Sequence, residues 1–142
     1  MDHPILKLYF LLQKLLEYEE GLYLKIKSLL FYKFKTNQEL RDAVNLYTNE
    51  ETYYEAYKKY YHISLWNTSL ITDMHSLFEN KYEFNENINS WNVSNVTNMQ
   101  ALFYKCINFN QPLDSWNVSN VKLMGGLFWK CNNFNQPLNS WN

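Results

Sequence analysis

Residues 91–116 read WNVSNVTNMQALFYKCINFNQPLDSW, and this stretch begins and ends with a tryptophan. Tryptophan recurs at the same 25-residue spacing, at Trp66, Trp91, Trp116 and Trp141. Further apolar and amide positions keep that spacing: Met74, Met99 and Met124; Leu77, Leu102 and Leu127; Phe78, Phe103 and Phe128; Phe84, Phe109 and Phe134; Asn85, Asn110 and Asn135. Positions that recur together at one spacing indicate internal repeats. Residues 66–142 are therefore three repeats and the first two residues of a fourth, each unit starting at a tryptophan.

Each repeat is predicted to contain one short helix and one short strand. Four apolar residues of the second repeat are spaced i, i+3, i+4 and i+7, as on one face of a helix: Met99, Leu102, Phe103 and Cys106. After a loop at 109–112, the alternation of Trp116 and Val118 fits a strand with both side chains towards the core. Asn85, Asn110 and Asn135 are expected to form an amide ladder that satisfies loop carbonyls.

One such repeat cannot bury its apolar face alone, so successive repeats are expected to stack. Strands about 4.8 Å apart would then form a small parallel sheet. The predicted fold class is an α/β repeat, in which an α-helical N-terminal region and cap at 1–62 precedes a short solenoid of repeats at 63–142. The expected structural core includes these residues: Trp66, Trp91, Trp116, Met99, Phe103 and Phe109.

The N-terminal region is predicted to be helical. An amphipathic apolar stripe indicates a helix at 4–20, whereas residues 22–34 fit either a strand or a helix, with helix preferred. Thr36 with Glu39, and Thr48 with Glu51, have the spacing of capping boxes and predict helices at about 37–47 and 50–61. The tyrosine-rich second helix is the expected cover of the first repeat.

Composition and charge narrow the possible partners. The formal net charge is -1 and the pI is about 6.3, so no long-range field attracts a phosphate backbone, and no nucleic-acid partner is expected. No stretch approaches the roughly 20 apolar residues of a membrane span. The apolar residues 5–16 lack the basic flank and cleavage site of a signal peptide. We expect an intracellular protein, either cytoplasmic or virion-associated.

The repeat strings themselves resemble a known family. FNQPL at 109–113 and 134–138, and WNVSNV at 91–96 and 116–121, resemble BspA-like leucine-rich repeats, which occur in bacterial surface proteins and in proteins of large DNA viruses and protists. Residues 34–44 look like the short helical segment that precedes such repeats in large-virus members. Because we expect no export signal, we expect the large-virus members to be the closer likeness. The resemblance implies that the solenoid at 63–142 is of the leucine-rich-repeat type, and that it serves in adhesion or protein binding.

The sequence shows no convergent set of acids, bases, nucleophiles or metal ligands. His3, His62 and His75 lack the spacing of a metal site, and Glu79, Glu83 and Glu86 fit a solvated edge better than a calcium site. Cys106 and Cys131 are too few for a disulfide framework and are expected to be buried thiols. No catalytic residue, cofactor or metal is predicted, and the chain is not expected to be an enzyme.

The leading hypothesis is a protein-interaction module with a polar partner-binding face. That face would consist of the following residues: Asn89, Ser90, Asn92, Asp114, Ser115 and Asn117. The alternatives are a structural component of a larger assembly, such as a minor capsid or virion protein of a large DNA virus, and a surface adhesin. Trp141 would leave an uncapped C-terminal end, so we expect a partner or a second copy there, and possibly at the N-terminal helix.

Overall fold

A computed structural model of the chain describes Leu12 and residues 31–141. The chain divides into two units, residues 1–31 and 32–142, and the elements below belong to the second. The helix predicted at 4–20 lies outside the described residues, apart from Leu12, which is helical. Most of the ambiguous segment at 22–34 also lies outside them.

Two α-helices precede the repeats. Helix α1 spans Asn37–Tyr47, and the Oγ1 of its N-cap Thr36 accepts a hydrogen bond from the Glu39 amide at 3.0 Å. This confirms the helix predicted from that capping box. Helix α2 spans Tyr53–Tyr60, shorter than the predicted 50–61, and a 3₁₀ turn follows at Ile63–Leu65.

The second predicted capping box is wrong. Thr48 ends α1 instead of starting α2, and its hydroxyl donates to the Val44 carbonyl at 2.8 Å. Residues 49–52 form a turn before α2 begins, and the Asn49 carbonyl accepts the amides of Thr52 and Tyr53. A threonine hydroxyl can serve either end of a helix, and spacing alone does not distinguish the two.

The segment before α1 joins the helices to the first repeat. The Phe34 amide donates to the Asn67 carbonyl at 3.1 Å, and the Asn67 amide donates to the Tyr32 carbonyl at 2.9 Å. The Phe34 ring packs against the Trp66 indole with centroids 4.9 Å apart, and Tyr47 and Tyr60 also contact that indole. The cover of the first repeat is therefore built from the segment before α1 and from both helices, and not from α2 alone.

The repeats are made of turns, and this overturns the predicted fold class. Among residues 66–141 the structure contains neither an α-helix nor a strand. Only isolated parallel bridges occur there, at Asp73–Asn98 and Asn98–Leu123, besides the bridge that joins Lys33 to Asn67. The α/β repeat with one helix and one strand per unit, and the leucine-rich-repeat solenoid with a small parallel sheet, are therefore wrong predictions.

The physical reason lies in where the backbone amides donate. Alternate amides of the first repeat donate to carbonyls of the second, each at 2.9 Å: Met74 to Asn98, Ser76 to Gln100, Phe78 to Leu102 and Asn80 to Tyr104. Between them, the amides of Leu77 and Glu79 close turns on the carbonyl three residues back, whereas the His75 amide donates to the Asp73 Oδ1. The second repeat bonds to the third in the same way. An α-helix would keep all of these amides within one repeat.

Left-handed residues make this run of turns possible. Positive φ recurs at equivalent positions of the repeats, and the residues are Ser76, Asn80, Ala101, Lys105, Gly126 and Lys130. Each such residue turns the chain before a helix can propagate. The glycine at 126 has φ +69 and therefore sits where glycine is favoured.

Aromatic rings form the centre of the stack. Phe78, Phe103 and Phe128 stack with centroids 5.5 and 5.6 Å apart, and Phe84, Phe109 and Phe134 form a second column at 5.9 and 5.8 Å. Indole pairs stack beside them, Trp66 on Trp91 and Trp116 on Trp141. All six residues expected in the core are at most 2 % exposed.

Candidate functional site

A polar groove crosses the side of the stack where the repeats meet. We call it the amide groove, and it has a volume of about 560 Å³. Its lining residues are Asn87, Asn89, Ser90, Trp91, Asn92, Val93, Ser115 and Asn117. Trp91 and Val93 are buried, so the groove presents amides and hydroxyls to a ligand and no charged side chain.

The structure brings together five of the seven residues predicted to bind a partner. They are Asn89, Ser90, Asn92, Ser115 and Asn117. Asp114 does not line the groove but accepts a hydrogen bond from the Asn89 Nδ2 at 2.8 Å. Trp141 lies in the last stacked layer, partly exposed, with its Nε1 donating to the Leu113 carbonyl at 3.0 Å.

Part of this lining holds the repeats together. The Asn89 side chain bonds twice to the next repeat, because its Oδ1 also accepts from the Ser115 amide at 3.0 Å. The Ser90 hydroxyl donates to the Ser64 carbonyl. These two side chains therefore have a structural role at the edge of the groove, and they keep its shape.

Asn92 and Asn117 differ from them, because half of each amide is unused. The Oδ1 of Asn92 accepts from the Ser94 amide at 3.0 Å, and the Oδ1 of Asn117 accepts from the Ser119 amide at 3.1 Å. Neither Nδ2 donates a hydrogen bond to any of the described residues. Both side chains are exposed and occupy equivalent positions of adjacent repeats. Each of these two side-chain amides thus offers an Nδ2 donor to the groove. The donor is oriented because the Oδ1 of the same amide already has a partner.

The asparagine ladder at 85, 110 and 135 forms, with partners other than those predicted. The Oδ1 of Asn85 accepts from the Asn110 amide, and the Oδ1 of Asn110 accepts from the Asn135 amide, both at 2.9 Å. The ladder therefore satisfies backbone N–H groups instead of loop carbonyls. It fixes the loop of each repeat to the loop of the next.

A second groove lies between the α1–α2 turn and the loop of the first repeat. We call it the acidic groove, and it has a volume of about 840 Å³. Its ionisable lining includes Glu50, Glu51, Glu83 and Glu86 against a single lysine, Lys81. Tyr47, Tyr53 and Tyr82 also line it. Sequence reasoning placed Glu83 and Glu86 on a solvated edge and missed this groove, because their proximity to residues 47–53 depends on how the helices pack.

Burial changes the chemistry of two groups in the acidic groove. It lowers the pKa of the Lys81 amine, and it is the main reason that the pKa of the Tyr47 phenol is raised. The Tyr47 side chain is 5 % exposed, and the side chain of Tyr53 beside it also raises its pKa. Beside it, the His62 Nε2 lies 3.5 Å from the Glu86 Oε2.

The two cysteines are free and buried. Each thiol donates to a carbonyl of the preceding repeat, Cys106 to Phe78 at 3.0 Å and Cys131 to Phe103 at 2.8 Å. Burial raises the pKa of the Cys106 thiol to about 12 and also raises that of Cys131. The prediction of buried thiols is confirmed, and they act as connections between repeats.

In the described part of the chain, no group of three His, Cys, Asp or Glu residues could hold a metal ion. None of the helices described is long and apolar enough to cross a membrane.

Repeats that stack column on column define this chain as a stacked-repeat protein. The chain belongs to the family described as "Mycoplasma protein of unknown function, DUF285", whose model matches residues 47–142, more than half of the chain. No curated protein and no solved structure matches it. The resemblance to BspA-like repeats, and to large-virus members in particular, is finer than this family match and stays a prediction.

Proposed function

We propose that the chain is a non-enzymatic protein-interaction module that binds an extended segment of a partner protein in the amide groove. The observation that carries this proposal is the pair of unused Nδ2 donors on Asn92 and Asn117. Their Oδ1 atoms are held by neighbouring amides, so the donors are oriented before a partner arrives. Little side-chain entropy is then lost on binding.

A polypeptide backbone suits such a groove. Carbonyl oxygens of an extended chain recur along one side, and they accept hydrogen bonds from fixed donors without any need for charge. The lining has no charged side chain, so binding through it should depend weakly on salt. The absence of charge also makes acid–base catalysis in the groove a poor alternative.

The experiment is a pull-down from the native source with the tagged chain and a double variant, Asn92→Ala with Asn117→Ala. The matched control is Asn45→Ala, which removes an exposed amide from α1, outside the groove. We expect partners that are retained by the wild type and the control and lost by the double variant. Identical partners in all three samples would contradict the proposal.

The second candidate function is a structural component of an assembly, such as a virion of a large DNA virus. It is favoured by four partly exposed apolar residues of the last stacked layer: Phe128, Phe134, Leu138 and Trp141. Such a surface gains free energy when a further apolar layer covers it. The helix α1 before the repeats also agrees with the resemblance to large-virus members.

Light scattering at micromolar concentration tests self-association through this layer. We expect a mass above that of the monomer for the wild type and a monomer for Trp141→Asp. An assembly component should also copurify with particles in a fixed ratio, whereas an interaction module should bind soluble partners reversibly. A stable monomer for both proteins would remove self-association as an explanation.

A further inference from the structure

Four asparagines line the amide groove, and the oxygen of each side-chain amide already has a partner. The Oδ1 atoms of Asn87, Asn92 and Asn117 each accept the backbone amide two residues further on, at 3.0, 3.0 and 3.1 Å. The Oδ1 of Asn89 accepts the Ser115 amide at 3.0 Å. The acceptor end of every side-chain amide in the lining is therefore engaged.

The nitrogen ends of these amides are mostly unused. The Asn89 Nδ2 donates to the Asp114 Oδ1 at 2.8 Å, whereas the Nδ2 atoms of Asn87, Asn92 and Asn117 donate to none of the described residues. All three of those side chains are exposed. A free side-chain amide both donates and accepts hydrogen bonds, but here only the donors remain. The groove therefore suits a ligand that accepts hydrogen bonds and has few N–H groups of its own.

We propose that the amide groove binds a proline-rich segment of a partner protein, which rests on the proposed binding of an extended segment there. Each proline keeps its backbone carbonyl and lacks the backbone N–H. Any other residue would bring an N–H into a lining whose amide oxygens are already engaged. A proline-rich segment is also extended before it binds, as a polyproline II helix, so it loses little conformational entropy.

An acidic segment also accepts hydrogen bonds, but the groove does not suit one. The lining has no positively charged side chain, and removing a carboxylate from water without a counter-charge is costly. The Asp114 carboxylate is held beside the lining by Asn89 and would repel a second carboxylate. The neutral carbonyls of a proline-rich segment avoid both costs.

The chain itself does not supply such a segment. Residues 1–142 contain three prolines, at positions 4, 112 and 137, and the nearest two are one repeat apart. A second copy therefore has no run of prolines to place in the groove. The ligand is assigned to a different protein.

Fluorescence anisotropy with a labelled oligoproline peptide tests the proposal on the full chain. The reference is a peptide of the same length with alternating alanine and glycine, which keeps the carbonyls and restores the N–H groups. We expect oligoproline to bind at least about tenfold more tightly. Sodium chloride should change its affinity less than about twofold, because the groove is uncharged. Equal or weaker binding of oligoproline would overturn the proposal.

The double variant Asn92→Asp with Asn117→Asp removes the donors and keeps the turns. Each substitution retains an oxygen that accepts the Ser94 or Ser119 amide, and replaces Nδ2 by a second oxygen. We expect an unchanged thermal midpoint and an affinity for oligoproline at least about tenfold lower. The control Asn45→Asp adds the same type of charge at an exposed position of α1, and should change the affinity less than about twofold. Equal effects of the double variant and the control would overturn the assignment to the groove.

Further outcomes separate the preference for proline from the proposed function. If the alanine–glycine peptide bound as tightly as oligoproline and the double variant weakened both, an extended segment would still occupy the groove and only the preference for proline would be wrong. Tighter binding of an alternating glutamate–glycine peptide would indicate an anion site and overturn the proposal. If the pull-down partners depended on Asn92 and Asn117 but oligoproline did not bind, the proposed function would stand and this inference would fall.

Discussion

At the scale of single residues, left-handed positions decide how each repeat is built. Position 101 and position 126 are equivalent, and alanine occupies the first at φ 52 while glycine occupies the second at φ 69. An alanine in this region costs roughly 1–2 kcal/mol, whereas glycine adopts it freely and loses about 0.5–1 kcal/mol of backbone entropy. The difference favours glycine at both positions.

We therefore expect Ala101→Gly to raise the free energy of unfolding by about 0.5–1 kcal/mol, and Gly126→Ala to lower it by about 1 kcal/mol. Urea denaturation measures both changes. Gly125→Ala is the control, because Gly125 is not left-handed and an added Cβ would only touch the Gln100 Nε2 at 3.7 Å. Equal effects of Gly125→Ala and Gly126→Ala would contradict the left-handed conformation of Gly126.

The buried thiols give a second residue-scale prediction. Iodoacetamide reacts with thiolates, and burial raises the pKa of Cys106 to about 12 and that of Cys131 in the same direction. We expect neither cysteine to be alkylated in the native protein at pH 8, and both to be alkylated in denaturant. Mass spectrometry of the intact protein gives the count, and rapid native alkylation would contradict the burial of these side chains.

At the scale of elements, α1 depends on a small polar network at its start. The Glu39 carboxylate accepts hydrogen bonds from the Lys35 amide and from the Tyr32 hydroxyl. These bonds lower the pKa of Glu39, and the bond to Glu39 raises that of Tyr32 to about 12. The network ties the segment before α1 to the first turn of the helix.

Because the pKa of Glu39 is lower in the folded chain, its carboxylate stabilises the fold at pH values above the ordinary pKa of 4.5. This contribution disappears as the pH falls through the lower pKa of the folded chain. We expect Glu39→Gln to lower the thermal midpoint at pH 7, and the difference from wild type to shrink steadily below pH 4.5. Thr36→Ala is the comparison, because it should lower the free energy of unfolding by about 1 kcal/mol both at pH 7 and below pH 4.5. A Glu39→Gln effect that did not depend on pH would contradict the network.

The elements also show what the sequence could predict. The period placed every repeat, and alternation around Trp91 and Trp116 put the correct side chains inside. The helix per repeat was wrong because residues at i, i+3, i+4 and i+7 also face inward in a run of turns with a left-handed residue at every fourth position. Apolar spacing reports which side chains are buried. It does not report whether backbone amides bond within a repeat or to the next one.

At the scale of the whole molecule, the ring columns tie the repeats and the helical cover together. The Trp91 indole stacks on Trp66, contacts Phe78, and donates from Nε1 to the Ile63 carbonyl at 2.8 Å. We expect Trp91→Ala to lower the free energy of unfolding by about 3–5 kcal/mol, since it leaves a cavity and an unsatisfied carbonyl. Chemical denaturation followed by circular dichroism measures this loss.

Asn95→Ala is a useful comparison for that variant. Its exposed side chain makes a single connection between repeats, from Nδ2 to the Ser69 carbonyl at 2.8 Å, and we expect a cost of about 1 kcal/mol. A larger loss for Asn95→Ala than for Trp91→Ala would mean that the columns of rings are not the main source of stability.

The two grooves differ in how far the sequence predicts them. Residues of the amide groove recur with the repeat, so their common face follows from the period alone, and most of them were identified. The acidic groove joins Glu50 and Glu51 to Glu83 and Glu86, which are more than 30 residues away and follow no period. Only the packing of the helices on the first repeat brings these carboxylates together.

The hydrogen bonds from each repeat to the next have a consequence for how the length of the gene can change. Successive repeats present to one another the same pattern of backbone amides and rings. A gene that lost the codons for residues 91–115 would therefore join Ser90 to Trp116 across an equivalent junction. We expect that shortened protein to fold with a lower midpoint and with ring stacking intact, as near-ultraviolet circular dichroism would report. Loss of 20 codons from the same place should instead give an unfolded product. Unequal crossing-over in steps of one repeat is thus the length change that this architecture tolerates.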